Sequence, residues 1–276
     1  MKELTLREIQ MAEFGVLQKL DQLCKQLNLR YYLFYGTLLG AVRHQGFIPW
    51  DDDVDVAMPR PDYEKLLAYC RDHKDEIAPL RMLHCRLDKK YIYPIARLCD
   101  TRYKVDYENT VDYGLGLFVD IYPLDGCGNT EEEARKIHKK NDTLQHMTHL
   151  AGMDRFHPSL RGGLHHTLIK FVGYCYVKLL GARHFALKAD RNSQALPFGK
   201  SEYVSCTVWF DWYHRFEKKL LDEPTTLMFE GQAFSVPAGW DSLLKDWYGD
   251  FMQLPPEAER VGHHYYKAYL KDDSPA

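Results

Sequence analysis

The chain has 276 residues, a formal net charge of −3, and 45% hydrophobic and 13% aromatic side chains. Such a composition describes a folded globular protein with a sizeable core, and the charge balance lacks the basic excess of a nucleic-acid binder. Seven cysteines, scattered and never in a Cys-x-x-Cys pair, predict reduced thiols rather than a disulfide framework or a zinc knuckle.

Thr5-Leu6-Arg7-Glu8 has the form of a capping box. Apolar Leu6, Ile9, Val16, Leu17, Leu20, Leu23, Cys24 and Leu27 then follow helical spacing, predicting an amphipathic helix to about residue 28. A chain that opens into a charged helix predicts no signal peptide, and no apolar run is long enough to span a bilayer. The expected location is cytoplasmic. Residues 29–35 read as an aromatic-rich strand; Gly36-Thr37 breaks it and starts a short helix, with Gly46 as its expected C-cap. After Pro49 a carboxylate-rich strand follows, and Pro61-Asp62 opens a helix to about residue 72.

Residues 80–86 read as a strand, and 91–98 with 103–107 as a hairpin around Asp100-Thr101. Residues 117–122 form another strong strand, stopped by Pro123. From Thr130 the pattern becomes helical: Thr130-Glu131-Glu132-Glu133 is a second cap signature, with helices expected over 131–150, 163–180 and 183–195. A strand near 203–208, a hairpin pairing 226–229 with 233–236, and a last helix over 242–248 complete the chain. The fold class is α/β or α+β, a mixed sheet flanked by helices. Residues 1–128 are expected to form the catalytic core, and a mainly helical 129–276 to complete the active site and bind the acceptor. One continuous domain is equally compatible with the pattern.

On a strand, Asp51, Asp53 and Asp55 share one face while Val54 and Val56 point to the other. Three like charges call for something positive among them. A hard divalent cation, Mg²⁺ or Mn²⁺, bridging to a phosphorylated substrate meets that need; a solvated acidic turn is the plain alternative. Asp52 points the opposite way and is assigned a structural role, as a cap or an ion pair for Arg60. Asp120, flanked by Val119 and Ile121, supplies a distant third carboxylate, or else a salt-bridged strand end. Gly36 lets a ligand approach the backbone, the following helix start points N–H groups at an anion, and the Thr37 hydroxyl adds a donor. Alone, such a Gly-Thr start is a common cap.

Gly36-Thr37-Leu38-Leu39-Gly40-Ala41-Val42-Arg43 and Gly46-Phe47-Ile48-Pro49-Trp50-Asp51-Asp52-Asp53-Val54-Asp55 together resemble the LicD family of the nucleotidyltransferase superfamily, which includes the fukutin-related proteins. Val119-Asp120-Ile121-Tyr122-Pro123-Leu124-Asp125 resembles that family's second block, and residues 248–256 its C-terminal block. The resemblance is firm over 5–128 and looser over 226–264. It implies a phosphotransferase with a CDP-linked donor, typically CDP-choline, placing phosphocholine on a sugar hydroxyl of a glycan or lipid-linked glycan acceptor and releasing CMP. The alternatives are transfer of ribitol phosphate, glycerol phosphate or aminoethylphosphonate from its CDP-linked donor, nucleotidyl transfer, or a binding module without turnover. By this resemblance Asp53, Asp55 and Asp120 hold the metal around the pyrophosphate, with Asp51 in support. Gly36 and Thr37 bind donor phosphates, and Arg43 either contacts phosphate or fixes the aspartate loop. Asp120 or Asp51 would accept the hydroxyl proton.

Choline would need aromatic faces, for which Trp50, Trp209, Trp212 and Tyr213 are possible walls. The histidines, including His146-x-x-His149, His165-His166 and His263-His264, have no matching ligand frame at zinc-site spacing. They are expected in surface or core roles. Residues 164–180, apolar with Lys170 and Lys178, read either as a packed helix or as one lying on a membrane.

Overall fold

The computed structural model describes residues 1–107, 114–153, 155–156, 163–208, 213–262 and 266–272. A two-residue strand, β1 (Lys2–Glu3), leads into the predicted helix α1 (Leu6–Gln26). Both halves of its capping box form: the Glu8 amide donates to the Thr5 hydroxyl, and the Thr5 amide donates to the Glu8 carboxylate. Strand β2 (Tyr32–Leu33) is shorter than its apolar run, because the chain turns at Phe34 into α2 (Tyr35–His44). Gln45 rather than Gly46 takes the left-handed C-cap of α2, with φ of 54°. The glycine that this corner needs is Gly40, where a Cβ would lie 2.5 Å from the Gly46 carbonyl oxygen.

Strand β3 (Asp55–Pro59) begins only at Asp55, so residues 51–53 lie in the preceding loop. Then come α3 (Arg60–Asp72), β4 (Leu80–Leu83), β5 (Ala96–Asp100), β6 (Tyr103–Tyr107) and β7 (Leu117–Gly126). Helix α4 (Glu131–Gly152) carries the second capping box, Thr130 with Glu133, and is followed by α5 (Gly163–Leu180) and α6 (Ala182–Ser193). The chain ends with β8 (Tyr203–Ser205), β9 (Phe216–Glu217), β10 (Thr225–Phe229), β11 (Gln232–Val236), α7 (Trp240–Tyr248) and β12 (Tyr266–Leu270).

The main sheet runs β2-β3-β7-β5-β4, with β8 on the far end of β7 and β9 beside it. Only β3 and β7 are parallel within it; the other pairs are antiparallel, which makes this a mixed α+β sheet. Every residue of β7 is buried, as a strand covered on both faces requires. The expected hairpin around Asp100-Thr101 does not form. Strand β5 pairs with β4 and β7, whereas β6 pairs with β12, which also pairs with β1. Asp100 causes the departure: its carboxylate accepts from the Arg102 amide and guanidinium and turns the chain out of the sheet. The Thr101 amide and hydroxyl both donate to the Pro79 carbonyl, fixing that exit.

One large core joins Leu17 of α1, Leu38 of α2, Leu66 of α3 and Leu244 of α7 to Val56 and Ile121 of the sheet. Phe216, Phe229, Phe234, Trp247 and Phe251 belong to the same core, so the C-terminal residues return to cover the first half. Helices α4, α5 and α6 share a separate cluster around Leu144, Val177 and Phe185.

Candidate active site

The parallel register of β3 and β7 sets Asp55 opposite Asp120. Asp55 starts its strand because two groups pin it there: its amide donates to the Thr37 hydroxyl at 2.8 Å, and its carbonyl accepts from the Phe34 amide at 3.0 Å. The preceding loop is fixed from below. Gln10 on α1 donates to the Asp51 carbonyl at 2.8 Å, and the Tyr266 hydroxyl donates to the Asp52 carbonyl at 2.8 Å.

Asp51, Asp53 and Asp55 converge on one cleft of about 1000 Å³. They face the same way as expected, although loop geometry rather than strand alternation brings Asp51 and Asp53 there. Gly36 also lines the cleft, and a Cβ on it would lie 2.9 Å from Asp51 Oδ2, so the glycine makes room for that carboxylate. Thr37 is buried and its hydroxyl accepts from the Asp55 amide. From α2 it thus anchors the start of the aspartate strand, and it is not among the residues that line the cleft.

Asp55 is buried, and its Oδ1 has no hydrogen-bond partner. Burial pushes its carboxyl well above the usual carboxylate range, and the charges of Asp53, Asp120 and Asp51 push the same way; a hydrogen bond from Tyr122 opposes them. Behind the loop the buried carboxyl of Glu13 is raised too, first by burial and then by Asp53 and Asp52. Asp120 has an immediate counter-charge: Arg97, its cross-strand neighbour on β5, donates from Nε to Oδ1 at 2.6 Å. Asp120 is not among the residues that line the cleft. Among the described residues no three His, Cys, Asp or Glu side chains stand in a metal-holding arrangement. The donor chemistry nonetheless suits a hard cation, since an unpartnered buried carboxylate oxygen amid like charges is what such an ion would satisfy.

The opposite wall is C-terminal. Tyr248, Asp250, Phe251, Gln253, Leu254, Pro255, Pro256 and Glu259 line it, and Arg43 ties it down by donating to the Phe251 carbonyl at 3.1 Å and the Gln253 carbonyl at 3.4 Å. Arg43 therefore fixes this wall rather than the aspartate loop, with its side chain at the cleft. Tyr248 belongs to the acidic field: burial raises its phenol, and Asp55, Asp51 and Asp53 add to the effect.

Of the aromatic residues considered for choline, Trp50 lines the cleft, with the Arg260 guanidinium 5.8 Å from its ring centroid. Tyr213 instead packs on His138 with ring centroids 4.6 Å apart, and Trp209 and Trp212 lie outside the described residues. So do His263 and His264, and the side chains of His165 and His166. His84 is buried, and burial pulls it down to about 4; His146 lies exposed at the side of Asp142 on α4. Arg60 pairs with Asp125 and Asp190, not with Asp52.

Sequence reasoning missed Tyr35, Tyr122 and His214. Tyr35 has a left-handed φ of 42° at the head of α2, a strained conformation for a large side chain and one that accumulates at functional sites. Its ring stands edge-on to Tyr122 at 5.3 Å, and its hydroxyl lies 3.3 Å from His214 Nε2. Its place between an aromatic strand and the Gly-Thr start was the available signal.

The fold is a mixed α+β sheet with an acidic cleft beside its parallel strand pair. Residues 28–158 match the family model described as LicD/FKTN/FKRP, nucleotidyltransferase domain. The chain is 27% identical over 275 residues to the lipopolysaccharide cholinephosphotransferase LicD of Haemophilus influenzae, covering 98% of this chain and all of that protein. It is also 35% identical over 83 residues to an uncharacterized protein of Rickettsia typhi, covering 30% of this chain and 24% of that one. Residues 28–158 thus resemble a LicD-type nucleotidyltransferase domain, and the likeness to a LicD protein runs through nearly the whole chain.

Proposed function

We propose that the chain is a phosphotransferase that moves phosphocholine from CDP-choline to a sugar hydroxyl of a cell-surface glycan precursor, releasing CMP. The observation that carries this reading is the cleft itself. Asp51, Asp53 and Asp55 lie on one side, with a buried, unpartnered Asp55 oxygen among them, and an aromatic and acidic C-terminal wall stands opposite. The match to a cholinephosphotransferase over 98% of the chain supports phosphocholine as the cargo.

In this reading Asp53 and Asp55 would hold Mg²⁺ or Mn²⁺, with Asp120, now paired with Arg97, as the third carboxylate. The bound ion supplies neutralisation of the pyrophosphate charge. Gly36 brings the start of α2, with its unpaired amides and positive end of the helix dipole, toward a donor phosphate. The acceptor hydroxyl oxygen attacks the choline-bearing phosphorus, the bond from that phosphorus to the CMP oxygen breaks, and the hydroxyl proton passes to Asp51. Asp51 is preferred to Asp120 as the base because it lines the cleft, whereas Asp120 is held by Arg97. Trp50 and Tyr248 offer ring faces, and Asp250 and Glu259 negative charge, to a quaternary ammonium. Residues 129–276 would complete the acceptor side.

Incubation with Mg²⁺, a glycan acceptor and a panel of CDP-linked donors, read by CMP release, tests this. Preferential release from CDP-choline supports it. Preferential release from CDP-ribitol or CDP-glycerol would move the cargo to a polyol phosphate, and silence from every donor would point to a binding module.

A further inference from the structure

We propose that the outward face of α5 docks on an anionic lipid surface. Leu168, Val172, Tyr176 and Leu179 follow one another at intervals of four, four and three, so they form one stripe on the helix. The stripe points to solvent: Leu168 is 60% exposed, Val172 61% and Leu179 84%. Ile169 and Phe171 flank it and are also exposed. The opposite side of the helix is the packed one, where Val177 is buried and Leu180 lies against the core shared with Leu144 and Phe185. An apolar helix face turned outward in this way inverts the usual pattern, in which exposed apolar residues are scattered singly.

Charge selects the occupant. Helix α5 carries exposed Lys170 and Lys178 and no Asp or Glu, within a chain whose net charge is −3. A second copy of the chain would set two basic rims against each other. An anionic bilayer attracts the rim while its acyl boundary takes the stripe, as in helices that lie in the interface. Among the described residues no helix is long and apolar enough to cross a membrane, so the helix lies on the surface. This docking would hold the protein where a lipid-anchored acceptor is presented. It does not depend on which donor is used.

Cys175 provides a probe on this face, since it is exposed while the other six cysteines are buried. The full-length protein labelled there with an environment-sensitive fluorophore is mixed with vesicles of phosphatidylcholine alone or with phosphatidylglycerol added. A blue shift and flotation with the anionic vesicles, roughly tenfold or more tighter than with neutral ones and weakened by salt, is expected. The unlabelled triple variant Leu168→Ser, Val172→Ser, Leu179→Ser should lose flotation while keeping its circular dichroism and its CMP release from a soluble donor. No flotation with anionic vesicles, or flotation unchanged in the triple variant, would overturn the proposal. So would a blue shift without vesicles accompanied by a dimer in light scattering. The activity readout remains separate, so failure of the transferase reading is recognised independently.

Discussion

Arg97 and Asp120 face each other across two antiparallel strands, and the guanidinium holds the carboxylate through two hydrogen bonds, Nε to Oδ1 at 2.6 Å and Nη2 to Oδ2 at 3.2 Å. The guanidinium also lies 4.1 Å from the Phe118 ring centroid. Both residues are buried, so neither charge can turn to water when its partner is lost. Arg97 is therefore the cation that stabilises Asp120 in this structure.

Arg97→Met should destabilise the metal-free protein by about 3–5 kcal/mol, the usual effect of stranding one member of a buried pair. Thermal melts in EDTA and in Mg²⁺ measure it. Magnesium should recover more stability in the variant than in the parent, and adding Asp120→Asn should restore the metal-free melt. Equal Mg²⁺ protection in variant and parent would remove Asp120 from the ligand set.

Asp55 predicts the pH dependence. Its folded-state pKa is raised above the ordinary 3.8, so between the two values the native state binds more protons than the unfolded chain. Its contribution to stability is complete below 3.8 and is lost as pH rises through the raised value. The metal-free protein should accordingly weaken toward neutral pH, by up to about 1.4 kcal/mol per pH unit for each such group. Glu13 acts in the same direction. Mg²⁺ should oppose the trend and release protons on binding. Asp55→Asn should flatten the slope and raise the metal-free melting temperature at pH 8. A steeper fall in that variant would contradict the assignment.

Thr37 tests how the acidic floor is positioned. Thr37→Val removes the acceptor for the Asp55 amide and should cost about 1 kcal/mol of stability. It should also lower kcat, and Thr37→Ser should restore both. A rise in donor KM at unchanged kcat would instead return Thr37 to the phosphate-binding role that the sequence suggested.

Trp50 and the C-terminal wall together predict cargo selection. Trp50→Leu or Tyr248→Leu should raise KM for CDP-choline roughly 2- to 30-fold, the range of about 0.5–2 kcal/mol for a cation over a ring. Glu259→Gln should act in the same direction. KM values for CDP-glycerol should move little. Equal effects on both donors would mean that the wall serves the shared nucleotide end.

Local features of the fold were legible because their signals are local. Both capping boxes, at Thr5 and Thr130, form as the Thr-x-x-Glu spacing predicts. Of the stripe of α1, Ile9, Val16, Leu17, Leu20 and Cys24 are buried, while Leu6 at its start is exposed and Leu23 and Leu27 are half-buried. The convergence of Asp51, Asp53 and Asp55 was legible as a pattern, although a loop carries out what a strand was expected to do. What depends on register was not legible. No spacing rule connects Arg97 to Asp120, or β6 to β12, because those pairs exist only after the sheet has chosen its neighbours. The same holds for Arg60, whose partners Asp125 and Asp190 arrive from β7 and α6. The C-terminal wall could be read only as a resembling block. Its place in the cleft is set by the core that Trp247 and Phe251 join and by the Arg43 bonds to the carbonyls of residues 251 and 253.

The most direct test of the central claim follows phosphocholine itself. CDP-choline labelled in the choline methyls is incubated with Mg²⁺, a lipopolysaccharide-type glycan acceptor, and either the parent protein or its Asp53→Asn and Asp55→Asn variants. Label on the acceptor and CMP in solution in equal amounts are read together. The account predicts stoichiometric transfer by the parent, none in EDTA, and none by either variant while both remain folded by circular dichroism. Full transfer by Asp55→Asn, or CMP release by the parent with no label on any acceptor, would contradict it.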